Sequence, residues 1–569
     1  MPQDINIVIG GEAGQGLVTI GQLLSKALVR AGYEILVTQS YHSRIRGGHN
    51  TFAIRTGTVP FHGPRDTIDL LVALNAETVA LHQGELTSQG LIVADAAFVP
   101  DSATAAAVPF KELGPEKFWN TASLGLVGNL LGLPTDLLFA GVEALLGQKH
   151  PETLATNREV LDRSYQWAAE RIKSPHFALA GGAATEERLM LNGNEAIALG
   201  ALAGGLKFCA FYPMTPSTSV VLNLIAHADT MGCVIEQAED EIAAINMAIG
   251  AAFAGAPSMV ATSGGGFALM TEGVSLAAMT ETPLMIVVAQ RPGPATGLPT
   301  RTEQGDLDFV LHSGHGEFPR ALFAPGDLES CYTLSQKPPA LAERYQTPVF
   351  LLTDQFLADS SRAIAPFDPE RIEPVRAGAD PASVPTPYRR YAVTESGISP
   401  RLLPGVSEHL VVADSDEHSE DGHITEEQPV RNAMVEKRLR KFVGLREEVL
   451  PPRHEGAPDA ELLLVCWGSS RGPVQEAAEI LAGQGRRVAT LHFVQVWPLV
   501  PAQFVDLLHS ARTVVCVEAN ATGQFARLLQ RESGVTIPHR ISRYDGLPFS
   551  AHYILDRLGA ILEEQGGKP

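Results

Sequence analysis

Residues 257–289 constrain the fold more than any other stretch of the chain. A β-like run at 257–263 leads into Gly264, Gly265 and Gly266, a helical pattern follows over 267–279, and an apolar strand over 284–289. Preceded by an uncharged helical segment at 242–255, this is helix, strand, helix, strand, which predicts right-handed crossovers in a parallel α/β sheet. The glycines read as a flexible turn at the strand's carboxyl end, the edge where such sheets bind ligands. The 242–255 segment, made of Ala, Ile, Met and Gly, reads as a helix buried on all sides.

Two further strand ends fall on the same edge. Residues 207–212 read as a short strand, with Thr215 as N-cap and Pro216 as first residue of the next helix. Residues 284–289 are followed by Gln290-Arg291-Pro292-Gly293. Between them lies an acidic run containing Glu236, Glu239, Asp240 and Glu241. Acids collect in first helical turns because the helix dipole favours them, so a carboxylate there has a structural reason as well as a chemical one.

Five segments occur in one order: Y-P-M-T-P-S-T-S (212–219), E-Q-A-E-D-E (236–241), A-T-S-G-G-G-F-A-L-M (261–270), Q-R-P-G-P-A-T-G-L-P-T (290–300) and E-Q-G-D-L (303–307). Together they resemble the pyrimidine-binding domain of 2-oxoacid:ferredoxin oxidoreductases. The resemblance spans nearly the whole chain, as an N-terminal γ-type domain fused to an α-type domain, the arrangement of the 2-oxoglutarate members. It implies a fold of three α/β domains joined by linkers: a γ-type domain over 1–184, a pyrimidine-binding domain over 185–365, an extended arm over 366–458 and a transketolase C-terminal-like domain over 459–569.

The resemblance implies roles for particular residues. Thiamine diphosphate must lose the proton from its thiazolium C2, and a carboxyl bonded to the pyrimidine favours the tautomer that accepts it. Glu241, directly ahead of the apolar helix, matches the family's acid, and desolvation there would raise its pKa. Arg291 and Thr215 match the residues that hold the 2-oxoacid, a guanidinium being suited to clamp a carboxylate bidentately. Arg301 is placed to reach a distal carboxylate. The products implied are CO₂, an acyl-coenzyme A and reduced ferredoxin, with 2-oxoglutarate favoured and pyruvate or a branched 2-oxoacid as alternatives. A transketolase-like enzyme shares the acid and the α/β units but not the 290–300 loop, and a non-catalytic nucleotide-binding subunit needs no ordered Thr, Glu and Arg.

The chain lacks the Gly-Asp-Gly and following Asn with which thiamine enzymes hold Mg²⁺ and the diphosphate, and its five cysteines, Cys209, Cys233, Cys331, Cys466 and Cys516, have no C-x-x-C spacing. Clusters are usually gripped by closely spaced thiolates. The expectation is therefore a β subunit that carries the diphosphate end, Mg²⁺ and an iron-sulfur cluster, in a dimer of heterodimers.

At the amino end a strand over 5–9 meets G-G-E-A-G-Q-G (10–16) and an amphipathic helix from Leu17, which reads as an anion cradle. The glycine order differs from the dinucleotide fingerprint. S-Y-H-S-R-I-R-G-G (40–48) resembles the γ domain's signature, which the family associates with coenzyme A, making Gly14, Gln15, Gly16, Arg44 and Arg46 candidate contacts. Asn194 reads as a helix N-cap after a polar boundary. The acidic run at 414–423 lacks an obvious scaffold for a metal, and residues 426–445 read as a charged helix. A formal charge of -21 over 569 residues argues against nucleic acid as a partner. No basic leader and no membrane-spanning apolar run are evident, so a cytoplasmic protein is expected.

Overall fold

The computed structural model describes residues 4–42, 48–99, 105–172, 177–178, 187–368 and 375–564. The chain forms two compact units. One holds the chain up to Leu191 with Asp359–Pro366 and Ser550–Tyr553; the other holds Asn192–Ala358, Phe367–Phe549 and the chain from Ile554.

The first unit is built on an eight-stranded sheet in the order Ala105–Val108, Leu86–Asp95, Ile68–Ala73, Asp4–Glu12, His49–Gly57, Glu34–Ser40, Ser361–Ile364 and Leu189–Asn192. Asp4–Glu12 runs parallel to Ile68–Ala73 and antiparallel to His49–Gly57. The helix Leu17–Arg30 buries Leu17, Ile20, Leu24 and Leu28 at helical spacing. Each such side chain contributes roughly 2 kcal/mol by leaving water.

The second unit contains two sheets. The larger has the strand order Gln495–Trp497, Ala321–Phe323, Pro348–Asp354, Leu284–Gln290, Ser258–Thr262, Phe208–Phe211 and Val234–Gln237. Its pairings are parallel except at Gln495–Trp497. The smaller is ordered Arg453–Gly456, Val488–Phe493, Leu462–Trp467, Thr513–Glu518 and His539–Ser542. Three of its four pairings are parallel, in keeping with the continuous apolar runs at 462–467 and 513–518, the pattern of strands covered on both faces. Buried side chains of both sheets, among them Phe267, Phe350, Trp467, Phe493 and Phe525, belong to one continuous core.

Several local expectations need correction. The strand Val234–Gln237 occupies what reads as an acidic lead-in, because its apolar residues are too few to signal an edge strand. Asn192, not Asn194, caps the helix Gly193–Ala203, in a capping box with Glu195. The three glycines form no flexible turn: they are the first turn of the helix Gly264–Met279, whose N-cap is Ser263. Thr215 caps nothing, since the next helix is Thr218–Met231 with Ser217 at its N-cap.

The 366–458 region is tied down by charge rather than by a sheet of its own. Its helix Gln428–Glu447 sends Lys437 and Lys441 to Glu281, with Lys437 Nζ 2.6 Å from one carboxylate oxygen and Lys441 against the other. Arg390 donates to the Glu281 carbonyl at 2.8 Å and to Gln346 Oε1 at 2.9 Å. All four charged residues are almost wholly buried. Burial alone would raise the Glu281 pKa, but the three cations hold it well below the usual carboxylate range, while burial pulls Lys441 down to about 7. Glu417, in the acidic run, is bound by Arg431 and Arg438. Among the described residues no His, Cys, Asp and Glu group could hold a metal ion.

Removing one partner of a buried pair leaves the other charge uncompensated, typically costing about 3–5 kcal/mol. Glu281→Gln should therefore lower the chain's denaturation midpoint by a loss of about 3 kcal/mol or more, whereas breaking an exposed pair such as Arg487 with Asp459 should leave it nearly unchanged. Urea unfolding of both variants tests the contrast.

Candidate active site

Four neighbouring parallel strands of the larger sheet end at one edge, and each delivers a polar group there. Phe208–Phe211 leads to Thr215, Ser258–Thr262 to Ser263, Leu284–Gln290 to Arg291, and Pro348–Asp354 ends on Asp354.

Burial separates the four acids of the 236–241 run. Glu236 and Glu239 are exposed, and Asp240 is the N-cap of the helix Glu241–Phe253, its carboxylate accepting the Ala243 N–H at 2.7 Å. Glu241 is 3% exposed, and its Oε1 has no hydrogen-bond partner. Burial pushes its pKa up, the Asp240 charge adds to this, and a bond to its own backbone N–H opposes it. The carboxyl lies over Gly266, where a Cβ would collide with Glu241 and with the Thr262 hydroxyl. Ser263 Oγ is likewise buried without a partner. Burial that leaves a carboxyl oxygen and a hydroxyl unsatisfied calls for a polar occupant, since each orphaned group costs about 1–3 kcal/mol. An aminopyrimidine, with a ring nitrogen and an amino group to offer, fits that donor set.

Arg291 is 9% exposed and donates from Nη1 to the Thr215 carbonyl at 2.6 Å. The structure thus brings Thr215 and Arg291 together through the threonine backbone, not its hydroxyl. Arg291 pKa is lowered by burial, with Asp306 opposing. Asp306 has its backbone N–H on Gln290 Oε1 at 3.1 Å, and a Cβ on Gly264 would lie 2.5 and 2.6 Å from its two carboxylate oxygens. Three residues earlier, burial and the Asp306 charge raise Glu303 to about 7. Arg301 lies on the same loop, next to the 546 turn, where a Cβ on Gly546 would stand 3.0 Å from its Cβ.

The loop after Arg291 is fixed by Gln304. Its backbone N–H donates to the Ala519 carbonyl at 2.7 Å and its Nε2 to the Trp467 carbonyl at 2.8 Å, while its Oε1 accepts from Ser470 Oγ and the Ala519 N–H, both at 2.9 Å. Asn520 Nδ2 donates to the Gln304 carbonyl at 3.2 Å. Thr302 Oγ1 donates to Asp354 at 3.1 Å, and Ser469 donates to the other oxygen of the same carboxylate. Sequence reasoning quoted this E-Q-G-D-L segment as a motif but assigned Gln304, Glu303, Asp306 and Asp354 no part. The available signal was an amide beside two acids in an otherwise loop-like stretch.

The helix carrying Glu241 is not buried on all sides. Ile242 and Met247 are 48% and 42% exposed, and Asn246 and Gly250 share their face. Leu222, Ile225 and Leu269, on the helices Thr218–Met231 and Gly264–Met279, are exposed too. The uncharged composition that predicted a fully covered helix therefore describes one with an apolar face open in the isolated chain.

In the first unit, Gly14 and Gly16 have φ of 97° and 80°, a region that favours glycine. Gly16 is the N-cap of Leu17–Arg30 and gives it no side-chain cap. Gln15 accepts the Glu12 N–H at 2.7 Å and so holds the turn itself. Arg44 and Arg46 lie outside the described residues.

Residues 199–437 match the family described as Pyruvate flavodoxin/ferredoxin oxidoreductase, thiamine diP-bdg, and residues 6–167 match Pyruvate ferredoxin/flavodoxin oxidoreductase. The 2-oxoacid:ferredoxin oxidoreductase 2, subunit alpha, of Aeropyrum pernix is 31% identical over 98% of this chain and 98% of its own. The chain belongs to the 2-oxoacid:ferredoxin oxidoreductase family, as an alpha subunit. The 2-oxoglutarate oxidoreductase subunit KorA of Mycobacterium tuberculosis is 28% identical over 96% of this chain and 90% of its own. A solved structure of 2-oxoglutarate:ferredoxin oxidoreductase from Magnetococcus marinus, with 2-oxoglutarate, coenzyme A and succinyl-CoA bound, superposes with a TM-score of 0.93 at 31% identity, covering 98% of this chain and all of that one. The α/β architecture expected for this oxidoreductase is thus the one observed. Among the described residues no helix is long and apolar enough to cross a membrane.

Because the folded pKa of Glu241 is raised, its contribution to stability is full below the unfolded carboxyl pKa and is lost as pH rises through the folded value. Glu241→Gln should therefore stabilise the chain at pH 8, by about 1 kcal/mol, with the gain vanishing toward pH 4. Thermal denaturation at both pH values checks the sign.

Proposed function

We propose that this chain is the α subunit of a 2-oxoglutarate synthase type of enzyme, which oxidatively decarboxylates 2-oxoglutarate to succinyl-coenzyme A and CO₂ and reduces ferredoxin, reversibly in principle. The observation that carries the reading is the orphaned, buried Glu241 carboxyl on the same sheet edge as the buried Arg291 guanidinium. The choice of 2-oxoglutarate is supported by the full-length likeness to the Magnetococcus marinus and Mycobacterium tuberculosis proteins.

Thiamine diphosphate supplies the acidic C2 and the electron sink that decarboxylation of a 2-oxoacid requires. Glu241 would hold its pyrimidine end through Oε1, and its raised pKa suits the carboxyl to keep or release a proton there. Arg291 pairs with the substrate carboxylate next to the ketone, Thr215 offers its hydroxyl to the same group, and Arg301 takes the distal carboxylate. The uncapped turn at Gly14, Gln15 and Gly16 receives coenzyme A phosphates at a helix N-terminus, with Arg44 and Arg46 as further contacts.

A β subunit supplies the Mg²⁺, the diphosphate site and the iron-sulfur cluster, and the working assembly is a dimer of heterodimers in the cytoplasm. The open apolar residues Ile242 and Met247, on the helix that Glu241 begins, and Leu269, on the helix packed against it, support a partner docking there. All five cysteines are buried and unpaired, which supports their role as packing groups.

Co-expressed with its β subunit, the chain should catalyse coenzyme A-dependent viologen reduction with 2-oxoglutarate in preference to pyruvate and branched 2-oxoacids. Activity of this chain alone would refute the shared site. Arg291→Ala should raise KM for the 2-oxoacid at least about 100-fold, the loss of a charge-assisted bidentate contact. Glu241→Gln should suppress C2 proton exchange of thiamine diphosphate without preventing assembly, and unchanged exchange would remove its assigned role.

A further inference from the structure

A buried guanidinium needs a counter-charge before its substrate arrives. Among the groups described around Arg291, Asp306 is the one that supplies it electrostatically, and its own carboxylate is bound to nothing on one side: Oδ2 is buried without a hydrogen-bond partner. Its position is nevertheless fixed. The backbone N–H is held by Gln290, the residue before Arg291, and the carboxylate lies over Gly264, where no side chain could fit beside it. An acid held in place by its backbone but left unsatisfied at its carboxylate is arranged to change partner or protonation state.

We propose that Asp306 is a positioning residue for the substrate clamp, balancing the charge of Arg291 while the pocket is free and taking up a proton when a 2-oxoacid carboxylate claims the guanidinium. This rests on the reading of Arg291 as the clamp. The groups facing Asp306 favour the exchange. Glu303 lies three residues upstream on its loop, the Glu241 carboxyl lies over Gly266 in the first turn of the helix that begins at Gly264, and both are acids. Asp308, on the following helical turn, is neutralised by Arg527. Burial already raises Asp306 to about 6 against the pull of Arg291, so an arriving anion that weakens that pull raises it further. The proton comes from solvent and returns to it when the anion leaves.

The assembled enzyme can be tested with 2-hydroxyglutarate, which carries both carboxylates of 2-oxoglutarate but no ketone. Its inhibition constant should rise about tenfold between pH 6.5 and 8, the dependence expected when binding carries one proton. Asp306→Asn should abolish that slope while Glu303→Gln keeps it, and binding calorimetry of the wild type at pH 7 in two buffers of different ionisation enthalpy should show net proton uptake. A slope that persists in Asp306→Asn, a slope lost instead in Glu303→Gln, or no proton uptake would each overturn the proposal. If Arg291→Ala leaves the inhibition constant unchanged, the clamp itself is refuted. If Arg291→Ala weakens binding and Asp306→Asn keeps the slope, the clamp stands and only the role of Asp306 falls.

Discussion

One amide side chain sets the geometry on which the candidate site depends. Gln304 spends both its side-chain nitrogen and oxygen, and its backbone, on the strand ends and turns of the smaller sheet. The loop it anchors begins at Arg291 and ends at Asp306, so the buried guanidinium, the acid beside it and the 301 position inherit their places from these bonds. A buried network of this kind stabilises only when every member is satisfied, and here the neighbouring Asp354, Thr302, Ser469 and Asn520 complete it.

Against that rigid frame stand groups that are deliberately unsatisfied. Glu241, Ser263 and Asp306 each keep a buried oxygen without a partner, and the two carboxyls lie against the first turn of the helix that Ser263 caps. Folding alone would eliminate such groups, because each is a cost with no return in the isolated chain. Their clustering where four strand ends meet is the physical difference between a ligand site and a well-packed sheet edge.

The order of elements around 257–289 was legible because buried parallel strands and helices leave strong apolar patterns. Thr215, Glu241 and Arg291 could be singled out because their motifs are specific. What was lost depended on relations that a linear pattern does not encode. The helix after Glu241 has the composition of a buried helix, yet composition cannot say whether the chain itself or another surface covers Ile242 and Met247. The three glycines read as a flexible bend, whereas two of them, Gly264 and Gly266, are required because the carboxyls of Asp306 and Glu241 occupy the space of their missing side chains. Lys437 and Lys441 fall in what reads only as a charged helix on an arm, since the acid that neutralises them, Glu281, is more than 100 residues away in sequence.

The open apolar face beside Glu241 also bears on how an assembly could form. Its residues ride on regular helices anchored in a continuous core, so a partner would meet a surface already in shape, and little ordering entropy would remain to be lost on contact. Such a face is also a hazard for a chain made in excess of its partner, because exposed Ile, Leu and Met on a rigid support associate with whatever apolar surface they meet first. A chain with such a face is therefore best made together with whatever covers the helix that begins at Glu241.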